Sequence, residues 1–83
     1  MKLNIRYFAS IREALGSSQQ IDVAAGTTLA ALRDHLIASS PAHAGALARG
    51  RALRCAINQT MCAESEVIPD GAEVAFFPPV TGG

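Results

Sequence analysis

The feature that most constrains this fold is a solitary apolar stripe. Between Thr27 and Ser39, Leu29, Leu32, Leu36 and Ile37 recur at i, i+3, i+7 and i+8, the spacing that puts side chains on one face of a helix. Thr27 or Thr28 supplies the N-cap, and Ser39-Ser40-Pro41 ends the run. Arg33, Asp34 and His35 read as lying off the stripe. One such helix needs one apolar surface to cover, and the rest of the chain offers it as short alternating segments rather than as further long helices.

Those segments read as strands. Lys2 to Phe8 places Leu3, Ile5 and Tyr7 on one face and Asn4, Arg6 and Phe8 on the other, the period of two that a pleated strand imposes. Ser10 to Leu15 reads as a short helix, with Ser10 and Glu13 as a capping box, Ile11 and Leu15 inward, and Gly16 as its stop. Gln19 to Val23 follows as a second strand, antiparallel to the first because the link is short. The alanine-rich stretch from Ala42 to Gly50 gives no clear pattern beyond a possible short helix over Ala44 to Ala48. Leu53 to Ile57 is a strand with Leu53, Cys55 and Ile57 inward. Asn58-Gln59-Thr60 turns it into a short return over Met61 to Glu64. Ile68-Pro69-Asp70-Gly71 is a turn, and Ala72 to Phe77 is the last strand, with Val74 and Phe76 on one face and Ala75 and Phe77 on the other. One main helix packed on one mixed sheet buries all these faces. That is an α+β fold of the β-grasp, ubiquitin-like type, with the final strand in the middle of the sheet. The expected division is a body at 1–77 and an extended tail at 78–83.

Charge and cysteine content exclude several functions. Seven basic and seven acidic residues cancel to a formal net charge of zero, which leaves no basic stripe for nucleic acid and no pull toward an anionic membrane. No apolar run reaches the length of a transmembrane helix, and Met1-Lys2-Leu3-Asn4 does not open a signal peptide. Cys55 and Cys62 are too few for a disulfide framework and are not spaced as metal ligands. They read as small core residues kept reduced, so the expected location is the cytoplasm. His35 reads as a solvent-face residue and His43 as a loop residue. No metal site and no catalytic residue is expected on this chain.

The chemistry lies in the tail. Pro78 and Pro79 donate no ladder hydrogen bonds, so the sheet must stop at Phe77. The segment Pro78-Pro79-Val80-Thr81-Gly82-Gly83 reaches at most roughly 20 Å when extended. Its first half is stiff, and its last two residues carry no side chains and fit a narrow channel. The Gly83 carboxylate, with a pKa near roughly 3.5, is anionic and unreactive at neutral pH. It would have to be activated, for example by adenylation, before a nucleophile could take it. A terminal Gly-Gly alone is better explained by a floppy end; its position directly after the last β-grasp strand, behind a proline pair, reverses that preference.

The run from Asp70 to Gly83, together with Tyr7-Phe8-Ala9, Arg12-Glu13, Gly16 and Ile57-Asn58-Gln59, resembles the small subunit of molybdopterin synthase over nearly the whole chain. Tyr7 stands where Phe is usual and Ile57 where Val is common. The resemblance implies a sulfur carrier in molybdenum cofactor biosynthesis. An E1-like adenylyltransferase would adenylate Gly83 with ATP and Mg, and a sulfur-relay protein would convert the adenylate to a thiocarboxylate. The large subunit would then take the threaded tail, Pro78 to Gly82, into its active site and pass the sulfur to cyclic pyranopterin monophosphate. The assembly implied is a heterotetramer, and no cofactor is held by this chain itself.

Strand parity adds a docking patch. Phe8 and Phe77 fall on the non-core faces of their strands, and Met61 has no core assignment, so these three are the expected partner interface, rimmed by Arg12, Arg54 and Glu73. The competing reading puts them over a second small core beneath Ala42 to Arg51. Other functions in play are a carrier for thiamine or tRNA thiolation, a ubiquitin-like modifier joined to lysines, and an interaction module with an inert tail.

Overall fold

The structure is a computed structural model that describes residues 1–79. Strand β1 (Lys2–Tyr7) leads into helix α1 (Ala9–Leu15), strand β2 (Ser18–Asp22), helix α2 (Leu29–Ser39) and helix α3 (Pro41–Ala46). Strands β3 (Arg54–Ile57), β4 (Thr60–Met61) and β5 (Glu73–Phe77) complete the chain. The strands form one sheet in the order β2-β1-β5-β3-β4. β5 lies in the centre, parallel to β1 and antiparallel to β3, while β1 and β2 are antiparallel. This is the β-grasp arrangement expected from the alternation. The readings placed on Val80, Thr81, Gly82 and Gly83 lie outside the described residues.

The alternation of β1 and β5 sets the core. Leu3, Ile5, Tyr7, Val74 and Phe76 are buried on one face of the sheet, beneath Leu29, Leu32 and Leu36 of α2 and Ile11 of α1. Each fully buried side chain of this size stabilises the fold by roughly 1.5–3 kcal/mol. Thr28 caps α2, its hydroxyl accepting the Ala31 N–H at 3.2 Å. Thr27 turns its hydroxyl back to the Ala24 carbonyl instead.

Three local readings change. α1 starts at Ala9, with extended Phe8 as the cap and no side-chain cap hydrogen bond. Ala9 takes a left-handed φ of 53°, so the chain turns one residue earlier than a Ser10 capping box requires and leaves Ser10 inside the helix. Gly16 does close α1, at φ 89° with its N–H on the Arg12 carbonyl. The helix expected over Ala44 to Ala48 lies at Pro41–Ala46, because Ser40 ends α2 and also caps α3, accepting the His43 N–H at 3.1 Å. The return strand is only Thr60–Met61, reached through Asn58 and Gln59, both at positive φ. That is the handedness that a two-residue hairpin favours.

Arg33 is the largest correction. It lies on the buried face of α2 and is 3% exposed. Leu29, Arg33 and Leu36 are spaced i, i+4 and i+7, so Arg33 occupies the stripe that hydrophobicity alone assigned to Ile37, which is half-buried. The guanidinium donates to the Leu47 carbonyl at 2.8 Å, to Ala48 at 2.6 Å and to Arg51 at 3.1 Å, and it pairs with Glu64 at 2.9 Å. It supplies a donor to the Leu47 and Arg51 carbonyls past the end of α3, and a second donor to the Ala48 carbonyl, which also accepts the Arg51 N–H at 2.9 Å. Arg49 joins from outside, bonding the other Glu64 oxygen and Asp34.

Candidate docking face and chain exit

Register shows which side chains share the open face of the sheet. Directly paired residues point the same way, so Arg6, Ala75, Ala56 and Met61 form one row across β1, β5, β3 and β4. Phe77 pairs with Arg54 in the next row. Phe8 follows Tyr7 at the end of β1 and continues the parity of Asn4 and Arg6. The positions named from sequence, Phe8, Met61 and Phe77, therefore lie on one surface, opposite the helices.

Phe8 and Phe77 meet edge to face, with ring centroids 6.4 Å apart and planes at 87°. This is a favoured aromatic geometry. The Arg6 guanidinium sits 5.5 Å from the Phe8 ring centroid, within cation–π range. Phe8 is 39% exposed and Met61 59% exposed, while Phe77 is half-buried. Ala56 is almost fully covered yet stands outside the core cluster. It forms a low floor between the phenylalanine pair and Met61. None of the three belongs to a second core beneath α3, since Ala46 and Leu47 join the main core.

Sequence reading missed one member of this surface, Arg6, and one exposed neighbour at its edge, Val67. Arg6 was counted only as polar, although its parity with Phe8 was visible. Val67, 55% exposed, bridges Thr28 and lines a groove with Met61, Thr60 and Cys62. Its exposure follows from the irregular backbone at 62–69, which no periodicity reveals. Of the suggested rim, Arg54 adjoins Phe77, and Glu73 lies on the same face two residues before Ala75. Arg12 is exposed on α1.

The chain leaves the sheet beside this patch. β5 is held on both sides by ladders, and its last residue is Phe77. Pro78 and Pro79 follow outside any strand and are half-buried. Whatever follows is therefore launched from a fixed point next to the phenylalanine pair.

The titratable residues elsewhere are tied into structure. His43 is not in a loop, as expected, but half-buried in α3. Its Nε2 lies 2.8 Å from Gln19 Oε1 and its Nδ1 lies 2.6 Å from the Ser40 hydroxyl. Gln19 Oε1 also accepts the Tyr7 hydroxyl at 2.7 Å. Since that oxygen can only accept, His43 Nε2 carries a proton. Burial pushes the Tyr7 pKa up to about 12. The network bolts α3 to β1 and β2. Among the described residues, no three His, Cys, Asp or Glu side chains group closely enough to hold a metal ion, and no helix is long and apolar enough to cross a membrane.

A central strand that ends beside an exposed aromatic pair, with Gly82-Gly83 following in sequence, belongs to a ubiquitin-like β-grasp protein. The ThiS family model matches residues 5–83, and the chain belongs to that family. It is 43% identical over 81 residues to the molybdopterin synthase sulfur carrier subunit of Escherichia coli, covering 98% of this chain and 99% of that protein. The crystal structure of small archaeal modifier protein 1 from Haloferax volcanii superposes with a TM-score of 0.76 at 27% identity, covering 95% of this chain and 98% of that one. One chain in the complex of subunits 1 and 2 of the molybdopterin-converting factor from Helicobacter pylori matches in fold, with a TM-score of 0.69 at 24% identity, covering 100% of this chain and 100% of that one.

Proposed function

We propose that this chain is the sulfur carrier subunit of a molybdopterin synthase and that Gly83 carries the sulfur. An E1-like enzyme adenylates the Gly83 carboxylate with ATP and magnesium, releasing pyrophosphate. Sulfur from a relay protein displaces AMP and leaves a thiocarboxylate. The body at 1–77 then docks on the large subunit through Phe8, Met61 and Phe77, and the tail at 78–83 reaches that subunit's active site. There the sulfur passes to cyclic pyranopterin monophosphate. This chain holds no group for catalysis in the scheme; it supplies a reactive end at a set distance from a docking face. The setting is the cytoplasm, where thiols stay reduced.

The observation that carries this reading is the match to a named sulfur carrier subunit over 98% of the chain, together with a family model that runs through Gly83. The route of β5 supports it, because the tail starts beside the exposed aromatic pair. Incubation with an E1-like enzyme, ATP, magnesium and a sulfur donor should raise the intact mass by about 16 Da, one oxygen replaced by sulfur. Addition of the large subunit and the pterin precursor should return the mass to its starting value as molybdopterin forms. A mass that never changes sinks the proposal.

The resemblance to the archaeal modifier favours one second reading, conjugation of Gly83 to lysines of other proteins. Lys2 is this chain's sole lysine, so chains built on itself have a single attachment point. Higher-mass conjugates in place of the thiocarboxylate would select that reading.

A further inference from the structure

The β3–β4 hairpin holds both cysteines as one cross-strand pair. Ala56 faces Met61 and Ile57 faces Thr60, so one step further from the turn Cys55 faces Cys62. The Cys62 N–H donates to the Cys55 carbonyl at 3.2 Å, and the Cys55 thiol donates to the Cys62 carbonyl at 3.4 Å. Residues directly opposite each other on antiparallel strands have Cα atoms about 4.5–5.5 Å apart. That lies inside the roughly 4.4–6.8 Å that a disulfide spans. Both thiols are free.

The two thiols differ in access. Cys55 is 5% exposed within the core, and burial pushes its pKa up to about 11, so it holds its proton at neutral pH. Cys62 is half-buried and lines the open groove beside Thr60, Val67 and Pro69. An oxidant arriving from solvent meets Cys62 first, with Cys55 directly behind it.

We propose that Cys55 and Cys62 are a redox pair that closes to an intramolecular cross-strand disulfide when a hydroperoxide reaches Cys62. The Cys62 thiolate attacks a peroxide oxygen. An S–O bond forms, the O–O bond breaks, and the alcohol or water leaves after taking a proton. The sulfur loses two electrons and the peroxide gains them. The Cys55 sulfur then attacks the Cys62 sulfenic acid. The S–S bond forms, the S–O bond breaks, and the Cys55 proton departs with the hydroxyl as water. Proximity across one rung offsets the low acidity of Cys55. The bond would staple β4, a strand of two residues at the sheet edge, to the core strand beside it.

The test is intact mass of the full chain, with its terminal carboxylate unmodified, after hydrogen peroxide. Wild type should lose about 2 Da, resist alkylation at both cysteines and recover fully with dithiothreitol. Cys55→Ala should instead stop at a gain of about 16 Da on Cys62 or continue to about 32 Da. Cys62→Ser should neither lose 2 Da nor gain oxygen at Cys55 under the same dose. Before oxidation, iodoacetamide should label Cys62 ahead of Cys55 in the folded protein. Oxygen adducts without the 2 Da loss in wild type, disulfide-linked dimers as its main product, or first labelling at Cys55 would each overturn the proposal.

Discussion

β5 carries two pairs of apolar residues that do opposite work. Val74 and Phe76 point under α2 and are buried, while Ala75 and Phe77 point to the open face and remain partly exposed. Both pairs sit on the same five residues, held by the same ladders to β1 and β3. Hydrophobicity therefore does not separate core from open face here; parity and the presence of a covering helix do. The open face is also shallower, with alanines at 56 and 75 between the phenylalanine pair and Met61. A low floor with raised aromatic edges suits a partner's side chains better than it suits closure by this chain's own.

The largest effect is expected beyond the last strand. Deleting Gly83, or adding one residue after it, should abolish sulfur transfer while leaving the thermal midpoint of the body unchanged. Wild-type product yield from either variant would end the tail mechanism. Next comes the core side of β5. Phe76→Ala should cost about 3–5 kcal/mol in urea unfolding, a large share of the roughly 5–15 kcal/mol that a domain has in all. Arg33→Met should follow at about 3 kcal/mol, because it strands the Leu47 and Arg51 carbonyls and leaves Glu64 with only Arg49. A loss below about 1 kcal/mol there would mean that water replaces the guanidinium. On the open face the outcome should invert. Phe77→Ala should leave unfolding within about 1 kcal/mol of wild type, yet weaken binding to the large subunit roughly tenfold or more by calorimetry. Equal losses of stability from Phe76→Ala and Phe77→Ala would erase the distinction between the faces.

Much of this was legible because one rule applied at a time. The alternation of β1 and β5 gave both faces directly, and the spacing of Leu29, Leu32 and Leu36 gave the helix. Phe8 and Phe77 followed from parity. The failures occur where two rules share a residue. Ser40-Pro41 stops α2 and starts α3, and a reading that uses it only as a stop starts the short helix too late and puts His43 in a loop. Arg33 satisfies carbonyls some 14 to 18 residues away, a need that no local pattern announces. Met61 needed the hairpin register, which rests on two positive-φ residues, Asn58 and Gln59. Val67 lies in irregular chain with no period to read. The Cys55–Cys62 pairing was hidden for the same reason, since it appears only once the β3–β4 register is known.

The smallest predicted effect probes how well the core side is sealed, and it is read at one residue. Tyr7 and Phe8 are neighbours that point to opposite faces, and Tyr7 is the chain's single tyrosine. Phenolate absorbance therefore reports on it alone. Its ring is buried, its hydroxyl is bound to Gln19 at 2.7 Å, and its pKa is pushed up to about 12 by burial. The folded state thus holds this proton more tightly than the unfolded state, whose tyrosine titrates near roughly 10. The stability that follows is fully present below about pH 10 and is lost as pH rises toward 12. Tyr7→Phe should remove that part of the alkaline slope, while its neutral-pH stability falls by about 1 kcal/mol for the lost hydrogen bond. A phenolate midpoint near 10 in the folded protein would mean that water already reaches the hydroxyl. The bolt from β1 through Gln19 to His43 would then stand open at its inner end, and the core face would be less distinct from the open face than the side-chain packing implies.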